Sequence, residues 1–324
     1  MNFKISKIGV DKTTALLTVL VLTIALLWTR IGVAQNQAES ITLGISPTQL
    51  DLTANPGEKI TNTLRLTNAS DTPVDIETIA ENFVPSGEEG AVDITEDRTT
   101  FALAEWITVS PDKATLQSKA TQDFEVSISV PSNAEPGSHF GTVVFRTIPP
   151  EDQSAQALVS QEIAPVILVK IAGDVRESSE IESFKSDKQL WSKESSINLT
   201  ARVKNTGSTH FKPTGQIVIK NMFGKKVATL ELPKQNVLPD SIRALTTTWQ
   251  KPKYSIGRYT AELTVVSGEN NEIRTAKTSF YIIPYQTIMP FLIILAVVGY
   301  ILFKARKRLV LAFRVLSGKD NEKK

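Results

Sequence analysis

Alternation of apolar and polar residues is the feature of this sequence that most constrains its fold. It recurs in four separate runs, residues 60–67, 124–130, 197–204 and 259–265. Because successive side chains of a β-strand point to opposite faces of the sheet, these runs indicate strands with one buried face. We find no amphipathic helical segment of useful length between residues 41 and 283. The sequence therefore predicts an all-β fold built of antiparallel β-sandwiches.

Two halves of the chain repeat a common pattern. In each half a strand closes with an asparagine, Asn68 or Asn205, and a small polar turn follows, as expected where an Asx-type turn reverses the chain. Each half later places an aromatic residue shortly after a glycine at the start of a strand, in Gly137-Ser-His-Phe140 and Gly257-Arg-Tyr259. Such aromatic residues close many immunoglobulin-like sandwiches. The repeat predicts two tandem immunoglobulin-like domains.

The domain limits follow from the last strand of each half. Residues 149–160 are polar and rich in turn formers, whereas Ile163 to Ile171 is a nearly continuous apolar run that suits an interior strand covered on both faces. We place the first domain at residues 35–173 and the second at residues 174–284, where Pro284 stops the last strand.

The C-terminal part contains an uncharged apolar run, residues 288–303, that ends against a cluster of lysines and arginines beginning at Lys304. Extended back to Tyr285, it is long enough to cross a hydrocarbon core of about 30 Å as a helix. We predict a transmembrane helix at 285–303 and, by the positive-inside bias, a basic cytoplasmic tail at 304–324. Within the tail, Leu309 to Leu316 either lies amphipathically on anionic lipid or belongs to a simple stop-transfer anchor.

The N-terminus resembles an export signal. Three lysines precede an apolar stretch from Thr13 to Trp28, and Gly32-Val33-Ala34 then offers a small-residue cleavage pattern. We predict a signal peptide at residues 1–34, with an uncleaved membrane anchor as the alternative. Either one exports the body, so the chain is predicted to be a single-pass protein of the cell membrane with an extracellular body. The second domain would lie next to the membrane, and recognition would lie mainly on the distal first domain.

Composition narrows the function classes. The whole chain carries a formal net charge of +2, but both ends are basic, so the exported body is net acidic. An acidic body argues against nucleic acid as a partner, because neutralising phosphates needs clustered lysine and arginine. The sequence has no cysteine, which excludes disulfides, thiolate metal sites and catalytic thiols.

Candidates for catalysis or metal binding are sparse. The two histidines, His139 and His210, each stand beside a phenylalanine near a turn in different domains; they are either ligands or a general base, or residues that pack turns. One acidic cluster of the first domain is either a calcium site or a solvated loop: Glu88, Glu89, Asp93, Glu96 and Asp97. We find no nucleophile elbow, phosphate-binding loop or zinc-protease motif. We therefore assign no catalytic, cofactor-binding or metal-binding residue and no cofactor, and the ligand-binding residues are unknown.

Three tryptophans and two glycosylation acceptor patterns each have two interpretations. Trp106, Trp191 and Trp249 are either exposed platforms for sugar rings or residues of the core. Asn68-Ala-Ser70 and Asn198-Leu-Thr200 match the glycosylation acceptor pattern, which is also common by chance.

Turn and strand-end segments across the exported region carry a family resemblance. These are Leu50-Asp-Leu52, Asn55-Pro-Gly57-Glu, Thr63 to Asn68, Pro136 to Gly141, Val166 to Val175, Val203 to Gly215 and Phe223-Gly224. With the predicted signal peptide, paired domains, single span and basic tail, they resemble bacterial cell-surface proteins of the DUF916 type, related to the WxL-interacting proteins. The resemblance implies a first domain associated with peptidoglycan and a second associated with host or partner proteins. It transfers no binding residue.

These observations lead to a ranked set of functions. The first is a non-enzymatic, membrane-anchored surface protein that binds a peptidoglycan-like envelope polymer or a partner surface protein through its immunoglobulin-like domains. The alternative is an envelope assembly chaperone in which the strand Ile163 to Ile171 completes a partner's sheet by strand addition. A third, an envelope hydrolase or transferase, would require buried titratable groups in a pocket.

Overall fold

The computed structural model describes residues 42–96, 99–149, 160–192, 194–268 and 271–316. By its internal contacts the chain divides into Met1–Thr42 and Leu43–Lys324, and both sandwiches and the helix belong to the second unit. The predicted signal peptide, with its cleavage pattern at Ala34, lies outside the described residues.

The first half of this unit is a β-sandwich of two sheets. Its strands are β1 (Leu43–Ser46), β2 (Gln49–Ala54), β3 (Lys59–Asn68), β4 (Val74–Ser86), β5 (Ala91–Thr95), β6 (Ile107–Ser110), β7 (Lys113–Leu116), β8 (Thr121–Ser129), β9 (Gly137–Ile148), β10 (Glu162–Ile163) and β11 (Val166–Ile171), with a 3₁₀ turn at Ala104–Trp106. One sheet has the order β1-β3-β8-β6; the other has the order β2-β11-β9-β4-β5, with β7 beside β4 and β10 beside β9. The alternating residues Leu64, Leu66, Phe124 and Val126 are fully buried between them.

The apolar run Ile163 to Ile171 is an interior strand, as predicted, interrupted at Pro165. Its main part, β11, pairs with β9 on one side and with β2 on the other. The pairing with β2 is parallel, which differs from the purely antiparallel expectation. Because both edges of β11 are occupied, it offers no free edge to another chain in this structure.

The second half is also a sandwich. Its strands are β12 (Ser179–Ser186), β13 (Leu190–Trp191), β14 (Ser196–Asn205), β15 (Thr214–Asn221), β16 (Lys226–Glu231), β17 (Ile242–Gln250), β18 (Gly257–Ser267) and β19 (Glu272–Ile282). They form sheets of order β12-β14-β17 and β13-β19-β18-β15-β16. In β14 alternate residues are buried along the whole strand. The fold is therefore all-β, with two tandem immunoglobulin-like sandwiches, as the alternation predicts.

The repeated asparagines build equivalent corners. The Asn68 side-chain amide donates to the carbonyl of Thr72 at 2.8 Å, and its Oδ1 accepts the Ser70 N–H at 3.0 Å. The Asn205 amide likewise donates to a carbonyl four residues later, that of Thr209, at 2.7 Å, and its Oδ1 accepts the Gly207 N–H at 2.9 Å. Both asparagines are fully buried. The predicted Asx-type turns are confirmed at both positions.

One helix, α1, spans Tyr285–Leu316. Within it Ile288–Arg306 is long and apolar enough to cross a membrane by length and composition. The helix continues beyond residue 303 and includes Leu309 to Leu316, so the first part of the predicted basic tail is helical. Only Ile283 and Pro284 separate β19 from α1.

Candidate functional site

The junction between the two sandwiches is the most elaborate site in the described part of the chain. It begins with the backbone of the connecting segment, residues 172–178. Thr206 N–H donates to Ser178 O at 3.0 Å and Ser208 N–H donates to Arg176 O at 2.8 Å, so the Asn205 corner is clamped to the connection. The Ser138 N–H of the first sandwich donates to Ser208 O at 2.9 Å. Three backbone hydrogen bonds thus fix this corner against both the connection and β9.

A chain of polar side chains crosses the junction beside this clamp. His210 Nδ1 lies 2.6 Å from Ser138 Oγ, and His210 Nε2 lies 2.9 Å from Asp51 Oδ1. Lys212 donates to the other carboxylate oxygen of Asp51 at 2.7 Å, and the Asn236 amide lies 3.3 Å from the same atom. The hydrogen bond from His210, with that from Lys212, holds the pKa of Asp51 well below its usual range despite partial burial. The first sandwich supplies the carboxylate and the second supplies its partners.

Serine, histidine and aspartate in one chain would suggest nucleophilic catalysis, but the surroundings of the serine do not suit it. Ser138 is only 1% exposed, and its Oγ also accepts the His210 N–H at 2.6 Å. A nucleophile must present its oxygen to a substrate, and this oxygen faces the interior of the junction. The three residues act as a structural tie between the sandwiches.

Apolar contacts and an ion pair complete the junction on its other side. Leu238 of the second sandwich packs against a cluster formed by Phe83, Phe140 and Leu168. Phe83 and Phe101 stack on Phe140 with ring centroids 5.1 and 5.2 Å away.

The ion pair joins Glu88, in the β4–β5 hairpin, to Arg202 on β14. Arg202 Nε donates to Glu88 Oε2 at 2.7 Å, and its Nη2 donates to the other oxygen of the same carboxylate. This contact lowers the pKa of Glu88. The Glu88 carbonyl also accepts the Ala244 N–H at 2.9 Å, so the hairpin is held by both its backbone and its side chain.

A groove of about 690 Å³ lies between these contacts. The first sandwich contributes Val84, Pro85, Gly87, Glu88, Thr99, Thr100, Phe101 and Phe140, and the second contributes Pro239, Asp240, Ser241 and Ile242. Its lining is mainly apolar and aromatic, with polar groups at the rim, which is the usual composition of a recognition pocket. A smaller, polar recess of about 250 Å³ opens beside Asp51, Lys170 and Lys212.

The two histidines have different roles from each other. His139 packs in its turn as predicted: it is buried, its ring nitrogens lie 3.2 and 3.1 Å from the carbonyls of Ala102 and Glu135, and it packs on Trp106. His210 does not simply pack a turn, because it joins the sandwiches and has a carboxylate partner that the sequence did not reveal. No local sequence pattern indicates this partner, since Asp51 and His210 lie 159 positions apart.

The remaining predicted candidates are distributed rather than gathered. Within the described residues, no three histidine, cysteine or acidic side chains come together to hold a metal ion. Glu88 and Glu89 both lie at the junction, Glu89 interacting with Arg243 of the second sandwich. Asp93 lies on β5, Glu96 follows it, and Asp97 lies outside the described residues.

Tryptophan burial decides between the two interpretations for two of the three residues. Trp191 and Trp249 belong to the core of the second sandwich, so the sugar-platform interpretation is wrong for both. Trp106 is half-buried against His139. Asn68 is fully buried with its amide engaged, so the folded chain does not expose it as a glycan acceptor, whereas Asn198 lies on the surface and is hydrogen-bonded to Asp187.

Similarity between this chain and known proteins is found among solved structures. No family model matches it, and no curated protein matches it in sequence. Among solved structures it is similar to the class 5 fimbriae chaperone CfaA, with 12% identity and a TM-score of 0.38 over 75% of this chain and all of that one.

Two further solved structures show a similar level of likeness. The E. coli chaperone DraB has 14% identity and a TM-score of 0.34 over 75% of this chain and 96% of that chain. The CsuC–CsuE chaperone–adhesion subunit complex of Acinetobacter baumannii has 13% identity and a TM-score of 0.35 over 75% of this chain and 99% of that chain. Likeness at these values carries no argument about function.

Proposed function

We propose that this protein is a membrane-anchored, non-enzymatic binding protein whose groove between the two sandwiches takes an extended apolar segment of a partner surface protein. The groove itself is the observation that supports this most strongly. Phe101 and Phe140 form one wall and Pro239 and Ile242 form the other, so each sandwich supplies half of an apolar surface. Neither domain alone would form the site.

The fixed geometry of the junction favours recognition. The backbone clamp at Ser208 and the tie through His210 hold one side, and the Glu88–Arg202 ion pair holds the other. A groove whose walls are already positioned loses less conformational entropy when a ligand binds. The partner therefore meets a preformed surface.

The chemistry of the lining favours a polypeptide over a sugar polymer. Sugar rings are commonly bound by exposed tryptophan faces, and none of the described residues that line the groove is a tryptophan. The DUF916-type resemblance implies association with peptidoglycan and with partner proteins. Of these two, the proposal adopts binding to a partner protein. The proposal includes the membrane placement predicted from the sequence. In it, α1 crosses the membrane once, the sandwiches lie outside, and the basic residues from Lys304 onward lie in the cytoplasm.

In the assembly-chaperone alternative, the strand that would accept a partner strand is β5 rather than β11. Strand addition at β11 would require β2 to leave first, because both edges of β11 are paired. In contrast, β5 lies at the edge of its sheet beside β4 in the described part of the chain, and its Ile94 is exposed. Since β5 follows the hairpin that borders the groove, a partner strand added there would lie next to the same site.

Site-specific photocrosslinking of the full chain in its native membrane tests the proposal. A photoreactive residue in place of Thr100, which lines the groove, is expected to give a discrete protein adduct, and one in place of the exposed Asp71 is not. Ile242→Asp in the groove wall should abolish the adduct, while Thr229→Asp on the exposed face of β16 should leave it intact. Adducts only to glycan, or equal adducts at Thr100 and Asp71, would refute groove binding. An adduct that survives Ile242→Asp but is lost when β5 is altered at Ile94 would favour strand addition.

A further inference from the structure

Two loops of the second sandwich lie at the end from which the chain enters α1. One loop, residues 221–226, joins β15 to β16, and the other, residues 251–257, joins β17 to β18. The register pairs Asn221 with Tyr259, and Gly257 with Ile282, the last residue of β19. The helix α1 begins three positions after Ile282, and three residue steps extend at most about 11 Å. Both loops are therefore close to the start of the helix.

Large apolar side chains at the tips of these loops are unusually exposed. Phe223 is 85% and Met222 57% exposed in the first loop, and Tyr254 is 87% and Ile256 55% exposed in the second. A single exposed apolar residue needs no explanation, but four at one end of a domain indicate a surface that something covers.

The loops are built to hold these side chains outward. Asn221 Oδ1 accepts the N–H groups of Phe223 and Lys225, each at 3.0 Å, which fixes the first turn. Ser255 closes the second turn by donating from both its N–H and its hydroxyl to Pro252 O, at 3.1 and 2.8 Å.

Contact between the two loops makes them one surface. Met222 covers Gly257, where an added Cβ would stand only 2.7 Å from the methionine sulfur. Gly257 also has a φ of 97°, a conformation that favours glycine. The exposed tips of both loops are thus held in a fixed relation by close packing at their bases.

Positive charge surrounds the apolar tips. Lys225 and Lys226 follow Phe223, Lys251 and Lys253 precede Tyr254, and neither loop contains an acidic residue. Among the described residues none of these four lysines makes an ion pair, and Lys253 lies over the Tyr254 ring at 5.8 Å. Close by, Glu194 is already paired with Lys188.

We propose that loops 221–226 and 251–257 dock on an anionic lipid surface, with Phe223, Met222, Tyr254 and Ile256 entering the headgroup region and the four lysines binding lipid phosphates. This inference rests on the proposed crossing of the membrane by α1. Aromatic residues concentrate at membrane interfaces, and lysines close to an anionic surface add attraction. The two-residue connection brings the loops to the bilayer without a further search, so a weak affinity is sufficient. Docking would hold the second sandwich in one orientation on the membrane.

The absence of cysteine allows a clean test with single-cysteine variants of the full chain. An environment-sensitive fluorophore is attached at Phe223→Cys or at Tyr254→Cys, and the protein is placed in nanodiscs that contain phosphatidylglycerol and lipid-bound quenchers. Ile273→Cys is the matched control, because Ile273 is an apolar residue, 62% exposed, at the opposite end of β19. Docking predicts blue-shifted, lipid-quenched emission at the two loop positions and water-like emission at the control. Replacing all four lysines, Lys225, Lys226, Lys251 and Lys253, with glutamate should remove most of the quenching at the two loop positions.

A fourth label separates this inference from the membrane anchor it depends on. Ile294→Cys, in the middle of the apolar part of α1, reports whether the helix is in lipid. Quenching at Ile294 together with water-like emission at both loops would overturn docking and leave the anchor intact. Unquenched Ile294 would overturn the anchor itself. Loop labels protected only after a partner protein is added would also overturn lipid docking.

Discussion

The Asn68 and Asn205 corners have the same local design and different surroundings. In each, a buried asparagine donates to a carbonyl four residues later and accepts an N–H two residues later. After Asn68, Ala69 and Asp71 are exposed, and Asp71 forms an ion pair with the exposed Lys119. The residues after Asn205 are covered by the connecting segment and by the first sandwich. The Asn68 corner therefore only closes its sandwich. The Asn205 corner closes its sandwich and also joins it to the first one.

The position two residues after each asparagine shows what is required to join the two sandwiches. In the first corner it is Ser70, whose hydroxyl stays within the turn. In the second corner it is Gly207, where an added Cβ would stand 2.3 Å from Arg176 O and 2.9 Å from Ser178 N. The connecting backbone occupies the space that a side chain would need. The Asn205 corner can therefore pack against the connecting segment because residue 207 is a glycine.

Removing either asparagine is expected to have the largest effect. Asn68→Ala and Asn205→Ala each remove several hydrogen bonds of a fully buried amide, which should cost about 3 kcal/mol of unfolding free energy. Urea denaturation can follow each sandwich separately, with Trp106 reporting on the first and Trp191 and Trp249 on the second. Only Asn205→Ala should also increase protease cleavage in residues 172–178. Equal cleavage in both variants would show that the two corners do not differ in the way described.

Gly207→Ala is expected to have an intermediate effect. The added methyl group must push the connecting backbone away, at a cost of about 2 kcal/mol. Ser70→Ala at the equivalent position is the control, and it should cost less because no clash arises. A double-label distance measurement across the junction should lengthen in Gly207→Ala alone. Unchanged stability and distance would mean that the connection is not clamped to the corner.

The smallest effect is expected from Asp51→Asn, and it should depend on pH. Because the folded chain lowers the pKa of Asp51, the ionised carboxylate stabilises the fold above its ordinary pKa of about 3.9. This stabilisation is lost as the pH falls below that value. Denaturation at pH 7 should show Asp51→Asn to be less stable than the original chain, with the difference narrowing at pH 3. Asp71→Asn, at the exposed corner, should match the original chain at both values; a pH-independent loss in Asp51→Asn would contradict the assignment.

Much of the fold could be predicted from local sequence. Period-two alternation located the main strands because burial of one sheet face is written into consecutive residues, as β14 shows along its whole length. The asparagine corners were also visible, because every partner of their turns lies within a few residues. The parallel pairing of β2 with β11 was not, since strand direction depends on residues far apart in the chain.

The candidate site was almost wholly hidden in the sequence. Asp51, Ser138 and His210 come from three distant segments, and none stands in a recognisable motif. The groove depends on how two sandwiches meet, which local propensity does not encode. The expectation that recognition lies mainly on the first domain thus gives way to a proposed site shared by both.

The length of α1 has a mechanical consequence. A helix of 32 residues is about 48 Å long, which exceeds a hydrocarbon thickness of about 30 Å. In the proposed membrane placement only two residues, one of them a proline, attach it to the second sandwich, and Pro290 removes a backbone hydrogen bond inside the helix. A torque that a bound partner applied to the sandwiches would then pass into the helix through this short link, and Pro290 is where α1 would bend.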